Sequence, residues 1–317
     1  MLQRCLNVVA CITILITALS CSEEPTAPNF EPKLVVNGFL KRGSGVDSIT
    51  VSRTVAIDQK FDPALSRVTD AVVRIRPAGG RWQQLAQYPP APMRDAQGNV
   101  IAQVGGVYYL PKDSLEITAG TTYELNVSAF GQIVTAQTSV PEQIELVEMN
   151  RGELLGNRPL FFSGDTIEYV SGASFADTPF FTVFWQHVPK VTIYRMIADA
   201  DNGAFTNLIR DTTTAANIFK EDLKDREEPF GFNIADDVNL QPMRGRIIWL
   251  YFYYYGWHTM RLLAVDEAYA VYQQGQFAEG QVQETPRSNI VGGFGVFASY
   301  SELTWRVYVK KGPRSEP

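Results

Sequence analysis

Cysteine and histidine are scarce in this chain, and the places where they occur exclude several classes of protein. All three cysteines, Cys5, Cys11 and Cys21, fall within the first 21 of 317 residues, and the only histidines are His187 and His258. A disulfide scaffold, a thiol enzyme in the body of the chain and a zinc site of Cys and His ligands are therefore excluded. We expect no metal and no cofactor.

Positive charge is also in short supply. Lys and Arg number 28 against 34 Asp and Glu, which gives a net charge of -6, and the basic residues form no cluster along the chain. Proteins that bind nucleic acid need a basic patch to replace the counterions of the phosphates. Nucleic acid is therefore not an expected partner. With 45% hydrophobic and 12% aromatic residues, the chain has enough apolar material for a folded core.

Motifs that would mark an enzyme are missing as well. The chain contains no H-E-x-x-H pair and no G-x-S-x-G elbow. The glycine-rich segment 292–295 (GGFG) lacks the flanking strand, helix and distant acid of a dinucleotide site, so it predicts tight turns or close backbone approach instead. The paired acids at 199 and 201 and at 236 and 237 are more typical of solvated turns than of a calcium loop. These observations predict a protein that is not an enzyme.

The N-terminus reads as a signal peptide over residues 1–20. Arg4 precedes an apolar run over residues 6–19, which is too short for a helix that spans about 30 Å of hydrocarbon. The run ends in 18–21 (ALSC), which resembles the bacterial lipobox and predicts that Cys21 carries acyl chains. Two alternatives are an ordinary secretory signal with a fortuitous Cys21 and an uncleaved helix; Cys11 follows too short a run to compete.

A proline-rich tether is predicted over residues 21–32. It begins with Ser22, Glu23 and Glu24, a triplet that resembles the export signal of Bacteroidota surface lipoproteins. The alternative is an ordinary acidic linker, which would leave the protein facing the periplasm. The expected location is the outer membrane, with the body exposed at the cell surface.

Residues 33–141 carry a period of two that is typical of half-buried strands. The apolar and polar residues alternate over 34–40, 49–55 and 71–76, and further short strands are predicted at 82–86 and 107–110. The clearest hairpin joins 123–129 to 134–140 through a turn at 130–132. About seven short strands with regular turns predict an immunoglobulin-like β-sandwich without the Cys and Trp signature of antibody domains.

Residues 142–311 predict a second β-rich domain with one or two short helices, followed by a tail over 312–317. Strands are expected at 180–185, 191–197, 246–257, 261–265 and 303–309, and a helix over 266–277 with Asp266 as its cap. The fold class is therefore mainly β. The long polar segment 199–232 is either a solvated surface excursion or a lid or docking loop.

The densest aromatic feature lies at 247–258. On a continuous strand, Trp249, Tyr251, Tyr253, Tyr255 and Trp257 share one face. Rings with an apolar face and a polar edge suit stacking on sugars or contact with a partner protein. The alternative is a central strand that packs against core on both faces.

Six segments together resemble a known family. They are 34–40 (LVVNGFL), 47–54 (DSITVSRT), 70–75 (DAVVRI), 119–125 (AGTTYEL), 135–141 (TAQTSVP) and 288–297 (SNIVGGFGVF). In this order and spacing they resemble the uncharacterised family of Bacteroidota lipoproteins called domain of unknown function 4249. The resemblance implies a lipoprotein often encoded beside outer-membrane TonB-dependent receptors, and it transfers no catalytic residues.

Three functional hypotheses follow. The first is a non-enzymatic, lipid-anchored outer-membrane protein that serves as an accessory or ligand-binding partner of a TonB-dependent uptake system. The second is a carbohydrate-binding or carbohydrate-active surface protein that uses the aromatic stripe. The third is a structural or adhesion component of the cell surface.

Overall fold

The computed structural model describes residues 30–56, 58–60, 62–94, 97–147, 164–169, 180–201, 209, 230–235, 242–248, 252–276 and 288–311. Residues 33–54 together with 61–317 form one compact unit, and residues 1–32 with 55–60 form another. All the helices and strands described below belong to the larger unit.

Seventeen strands and two helices are present in the part of the chain that the structure describes. The strands are β1 (Leu34–Lys41), β2 (Val46–Arg53), β3 (Val72–Pro77), β4 (Gln83–Gln84), β5 (Ala86–Gln87), β6 (Ala91–Arg94), β7 (Val100–Val104), β8 (Val107–Leu110), β9 (Thr122–Ala129), β10 (Gln132–Ser139), β11 (Asp165–Tyr169), β12 (Phe180–Trp185), β13 (Ile193–Ala200), β14 (Phe230–Ala235), β15 (Met243–Ile248), β16 (Gly256–Val265) and β17 (Phe294–Lys311). The helices are α1 (Pro63–Ser66) and α2 (Glu267–Gln276).

One long sheet of nine strands organises the fold. Its order is β14-β13-β16-β17-β1-β2-β8-β5, with β11 paired to β17 off this path. A four-stranded sheet has the order β10-β9-β3-β4, and β12 with β15 and β6 with β7 form two-stranded sheets. The prediction of a mainly β fold is thus confirmed, and the sheets are arranged in sandwich-like layers.

The predicted N-terminal strands form because their side chains alternate between buried and partly exposed positions, as β1 shows over its whole length. The predicted hairpin is confirmed: β9 and β10 pair with Val127 opposite Val134. Two residues, Phe130 and Gly131, make the turn with φ of 50° and 71°. Two successive positive φ values are the mark of the I′ turn, whose twist matches that of the strands.

The predicted strand at 82–86 divides between two sheets. β4 pairs with β3 in the four-stranded sheet, whereas β5 pairs with β8 in the nine-stranded sheet. Leu85 lies between them and is buried, with 4% of its surface exposed. The sequence pattern predicts one short strand. In the structure the chain crosses from one layer to the other at Leu85, and this crossing closes one side of the sandwich.

β17 is shared by both halves of the chain. Its first part runs parallel to β1, from Val35 opposite Phe294 to Lys41 opposite Tyr300. From Tyr300 onward it runs antiparallel to β16, ending with Val309 opposite Gly256. The strand that begins the folded body is therefore paired with the strand that ends it.

Two hydrophobic cores lie against this sheet. One is built from residues of the first half of the chain and takes Phe297 from β17; the other is built from the second half and takes Trp305, Val307 and Val309 from the same strand. Because side chains alternate along a strand, these four residues share one face of β17. The division at 141 and the immunoglobulin-like arrangement of the first half stay predictions, but the two cores are attached to one continuous sheet.

Polar side chains separate the two cores on β17. Thr138 on β10 lies with its hydroxyl oxygen 2.7 Å from the hydroxyl of Ser299, and Ser301 donates a hydrogen bond to the carbonyl of Pro141. All three hydroxyl-bearing residues are buried. Buried hydroxyls need partners, so these hydrogen bonds hold the chain in place where it passes from the first core to the second.

Helix α2 confirms the predicted helix, beginning one residue later and ending one residue earlier than 266–277. Asp266 caps it, because its carboxylate accepts a hydrogen bond of 2.9 Å from the amide of Tyr269. The helix packs on the outer face of the nine-stranded sheet, where Tyr269 and Ala270 meet Ile197 and Leu263. Tyr272, one turn further along, contacts Phe39 of β1 with ring centroids 5.8 Å apart.

The glycine-rich segment 292–295 makes the close backbone approaches that the sequence predicted. Gly295 has a φ of 109°, and a Cβ there would overlap the carbonyl oxygen of Val36 on β1. A Cβ on Gly293 would lie 2.5 Å from the carbonyl oxygen of Leu34. Side chains at these positions would force β1 and β17 apart.

Replacing Gly295 with alanine should therefore destabilise the whole body. We expect a loss of roughly 3 kcal/mol in the free energy of unfolding, because the new methyl group adds overlap to an unfavourable φ. Gly43 is the matched control: its φ is 79° and nothing lies within 4 Å of a Cβ there. Gly43→Ala should cost about 1 kcal/mol. Urea unfolding of the two variants measures the difference, and equal losses would show that the approach to β1 is unimportant.

Candidate functional site

The structure describes part of the predicted site. Cys21, Ser22, Glu23 and Glu24 lie outside the described residues, as does the rest of the predicted tether up to residue 29. Trp249 and Tyr251 of the aromatic stripe lie outside them too. The remaining stripe residues, Tyr253, Tyr255 and Trp257, have defined positions.

The strand predicted over 246–257 is interrupted. β15 ends at Ile248, residues 252–255 form no continuous strand, and β16 begins at Gly256. The carbonyl of Tyr253 accepts a hydrogen bond of 2.7 Å from the amide of Ile209. Tyr253 and Tyr255 are half-buried, and Tyr255 packs against the second core. The even alternation that would put three rings on one strand face therefore does not hold, since Gly256 (φ 109°) turns the chain before Trp257.

Trp257 lies on the outer face of β16 and is exposed to 39%. Tyr308 lies directly opposite it on β17, and the two ring centroids are 5.3 Å apart in an edge-to-face arrangement. Tyr308 is exposed to 36%. The sequence did not single out Tyr308, because its partner is distant along the chain. The alternation of polar and apolar residues over 304–310 was the one pattern that placed Tyr308 on the exposed face of a strand.

Arg306 and Asp201 complete this exposed group. The guanidinium carbon of Arg306 lies 4.7 Å from the ring centroid of Trp257, a cation–π contact. Arg306 also forms an ion pair with Asp201, and Asp201 accepts a hydrogen bond of 2.8 Å from the hydroxyl of Thr259. We call Trp257, Tyr308, Arg306, Asp201 and Thr259 the Trp257 surface.

The carboxyl of Asp201 is held in its ionised form. Desolvation raises its pKa, but the hydrogen bonds from Thr259 and Arg306 and the charge of Arg306 outweigh that effect and lower the pKa below its usual value. The arginine is therefore fixed on one side of the tryptophan by an ionised partner. The Trp257 surface presents aromatic rings, a cation and hydrogen-bonding groups in a fixed arrangement, which is suited to binding and not to proton transfer.

His258 points the other way, into the second core. It is 1% exposed, its Nδ1 lies 3.1 Å from the carbonyl of Gly256, and its ring meets Phe252 edge-on at 5.2 Å. Burial lowers the pKa of its imidazole, against the opposing effects of the Gly256 carbonyl and the Asp201 charge. The ring is therefore neutral at physiological pH and acts as a packing group.

A second feature, which the sequence did not predict, is a cleft of about 1350 Å³. Its walls are the outer side of β9 and β10, the start of α2 and the loop at 189–191. Arg76 in this cleft pairs with Glu124 at 2.6 Å and lies 4.3 Å above the ring of Trp82. The cleft combines distant segments, so only the pairing of the sheets brings its residues together.

Asp266 is the buried acid of this cleft. It accepts hydrogen bonds from the hydroxyl of Thr138 and the amide of Tyr269. Burial raises the pKa of its carboxyl, the hydrogen bonds from Thr138, Tyr269 and Ser299 oppose this, and the charge of Glu267 adds to it. The net pKa of the carboxyl is raised. Keeping Asp266 ionised where the helix meets β10 and β17 therefore lowers the stability of the fold.

Replacing Asp266 with asparagine should show this cost. An acid whose pKa is raised in the folded state stabilises the fold below its unfolded pKa, near 3.8, and that contribution is lost as pH rises through the folded pKa. Asparagine keeps a cap and has no charge to bury. The stability of Asp266→Asn relative to the parent should therefore increase from pH 4 to pH 7.

Urea unfolding at several pH values tests this. Asp266→Ala is the control, since it removes the cap and should lose about 1 kcal/mol. A difference between parent and Asp266→Asn that does not change with pH would contradict the raised pKa.

The folded body is thus a mainly β protein with an exposed aromatic surface on one sheet face and a cleft beside the four-stranded sheet. The chain belongs to the family "Domain of unknown function (DUF4249)", which matches residues 22–306. This confirms the family resemblance drawn from the sequence. No curated protein matches the chain.

None of the helices in the described part of the chain combines the length and apolar character needed to cross a membrane. The same residues contain no group of three or more His, Cys, Asp or Glu side chains placed to hold a metal ion.

Proposed function

We propose that this protein is a lipid-anchored, non-enzymatic binding protein of the outer membrane, acting as an accessory or ligand-binding partner of a TonB-dependent uptake system. The signal and Cys21 support the anchor, and the family resemblance supports the partner. The observation that carries the binding role is the Trp257 surface, where tryptophan, tyrosine and arginine side chains are exposed together and fixed.

Those three residue types dominate the energetics of protein interfaces. A fixed arrangement matters because side chains that are already ordered lose little entropy on binding. Arg306 is ordered by Asp201, and Asp201 by Thr259. The Trp257 surface is therefore ready for a partner without rearrangement.

Two buried carboxylates in the described part of the chain, Glu302 and Asp266, have structural partners, which favours binding over catalysis. Glu302 lies between Lys41 and Arg261, each at 2.6 Å, and joins β17 to both of its neighbours. Desolvation raises the pKa of Glu302, but the hydrogen bonds from Lys41 and Arg261 and the charges of these two residues have the larger, opposite effect. The net pKa is lowered, so the carboxylate stays ionised. Asp266 caps a helix and His258 is neutral in the core.

Replacing Trp257 with alanine should weaken the partner contact. After crosslinking of intact cells, recovery of an outer-membrane receptor with the protein should fall roughly tenfold or more. Tyr88→Ala is the control, because Tyr88 is equally exposed but stacks on Tyr109 on a different strand pair, with ring centroids 4.0 Å apart. Equal recovery with both variants would remove the Trp257 surface from the contact, and a clean monomer in the parent would count against the partnership itself.

A glycan is a second candidate ligand for the same surface. Sugars stack on aromatic rings while their hydroxyls bond to carboxylates and hydroxyls, and Asp201 and Thr259 lie beside Trp257. A glycan array and a titration of tryptophan fluorescence distinguish the two candidates. Binding that is lost in Trp257→Ala would support the glycan, and the absence of binding to any glycan would exclude it.

The anchor has its own test. Replacing Cys21 with serine removes the thiol that carries the acyl chains, so metabolic palmitate labelling should be lost. Continued labelling of Cys21→Ser would contradict the lipidation.

A further inference from the structure

Apolar side chains are exposed together at one end of the body. Among the large hydrophobic residues that the structure describes, the four most exposed are Leu65 (72%), Val291 (70%), Ile133 (64%) and Phe130 (59%). We call these four the apolar pole. An exposed cluster of this kind marks a surface that meets another apolar phase or a partner.

Contacts of Arg53 and backbone hydrogen bonds place the four residues at the same end of the body. Arg53, the last residue of β2, lies 5.8 Å from the ring centroid of Phe130 and 3.5 Å from the carbonyl oxygen of Leu65. Val291 exchanges two backbone hydrogen bonds with Thr135, two residues beyond Ile133 on β10. The pole is thus formed by the β9–β10 hairpin tip, α1 and the segment before β17.

Phe130 occupies a position that a bulky residue rarely takes. Its φ is 50°, in the first place of an I′ turn, where asparagine or glycine is usual. The left-handed conformation costs an aromatic residue stability, and its side chain recovers little of this by burial because it is 59% exposed. An exposed aromatic ring kept at such a cost indicates a function at the hairpin tip.

The chain enters the body at this same end. Lys33 and Thr54 exchange hydrogen bonds of 2.9 Å, and Leu34 pairs with Arg53. Residues 21–32 precede that point, and twelve residues reach at most about 40 Å when fully extended. A lipid anchor at Cys21 therefore keeps the end of the body that carries the apolar pole within about 40 Å of the bilayer.

We infer that the apolar pole inserts into the surface layer of the lipid bilayer that holds the acyl chains of Cys21. The inference rests on the proposed anchor, which supplies the bilayer. Phe130, Ile133, Leu65 and Val291 enter the boundary between headgroups and acyl chains, and Arg53 and Lys33 lie at the headgroup level, where basic side chains are favoured. The carboxylate of Asp62 is already used as the cap of α1, accepting from the amide of Ala64 at 2.8 Å.

The bilayer fits this surface better than a receptor does. The tether already holds the pole at the membrane, so a small apolar contact is enough to fix the orientation of the body. A receptor contact of useful strength needs a larger area with hydrogen bonds. Insertion at the pole directs the opposite end of the four-stranded sheet, where Trp82 follows β3, away from the lipid.

A single fluorophore at the hairpin tip tests the inference. The mature chain has no cysteine besides Cys21, so Phe130→Cys provides one site for an environment-sensitive dye. The labelled, acylated protein is incorporated into vesicles of phosphatidylethanolamine and phosphatidylglycerol that contain spin-labelled lipid. We expect strong quenching at position 130 and little quenching of the same dye in Trp82→Cys. Equal quenching at the two sites, or none at 130 on vesicle-bound protein, would overturn the inference.

A second measurement separates the pole from the anchor. The chain that begins at residue 21 with Cys21→Ser, produced without residues 1–20, has neither an acyl group nor the apolar run 6–19, so its binding to the same vesicles depends on the pole alone. Phe130→Asn in this chain should lower the partition coefficient about tenfold, because one large apolar side chain is lost from the interface. The thermal midpoint should not fall, since asparagine is favoured in this turn, and Trp82→Asn should leave the partitioning unchanged.

The outcomes are distinct for the two proposals. If Cys21 proves not to be acylated but Phe130→Asn still lowers partitioning, the anchor fails and the pole stands. If the acylated chain remains on vesicles and Phe130→Asn has no effect on partitioning, the pole fails and the anchor stands. Protection of the dye at 130 by a receptor and not by lipid would assign the pole to a protein partner and overturn the inference.

Discussion

The hydrogen bonds that β17 makes with β1 on one side and β16 on the other hold this fold together. Phe297 at one end of the strand belongs to the first core, and Trp305, Val307 and Val309 at the other end belong to the second. Both cores need side chains of β17, the last strand that the structure describes. The backbone of Gly295 permits the close parallel pairing with β1. The long-range order of the body therefore depends on a contact between its first and last strands, which is a slow and cooperative event in folding.

The two faces of the nine-stranded sheet carry different features. The inner face carries both cores, divided by Ser299 and Ser301. The outer face carries α2 over Ile197 and Leu263, then the ion pairs of Glu302, and finally the Trp257 surface. Because side chains alternate along β16, the buried His258 and the exposed Trp257 are neighbours in sequence with opposite environments. The same alternation that builds the core thus creates the candidate binding surface.

The Trp257 surface and the apolar pole suit two different neighbours. The first combines rings with a fixed ion pair and hydrogen-bonding groups, as protein and sugar contacts require. The second is almost wholly apolar with basic residues beside it, as a lipid interface requires. Phe130 stands at a positive φ in an exposed turn, where asparagine or glycine would be the more stable choice. Together they describe a body oriented by its membrane end and recognised through another surface.

Local patterns in the sequence determined the mainly β fold, the β9–β10 hairpin, the helix capped by Asp266 and the close approach at 292–295, because each depends on neighbouring residues whose period or backbone freedom is visible in the chain. Tertiary structure alone decided the parallel pairing of β1 with β17, the change of sheet at Leu85 and the grouping of Trp257 with Tyr308 and Arg306. These contacts join residues that are tens to hundreds of positions apart, and no short-range pattern encodes which strands become neighbours. The aromatic content of residues 247–258 was evident in the sequence. Among the described rings of the stripe, the break in the strand before Gly256 decided that Trp257 is the one most exposed to solvent.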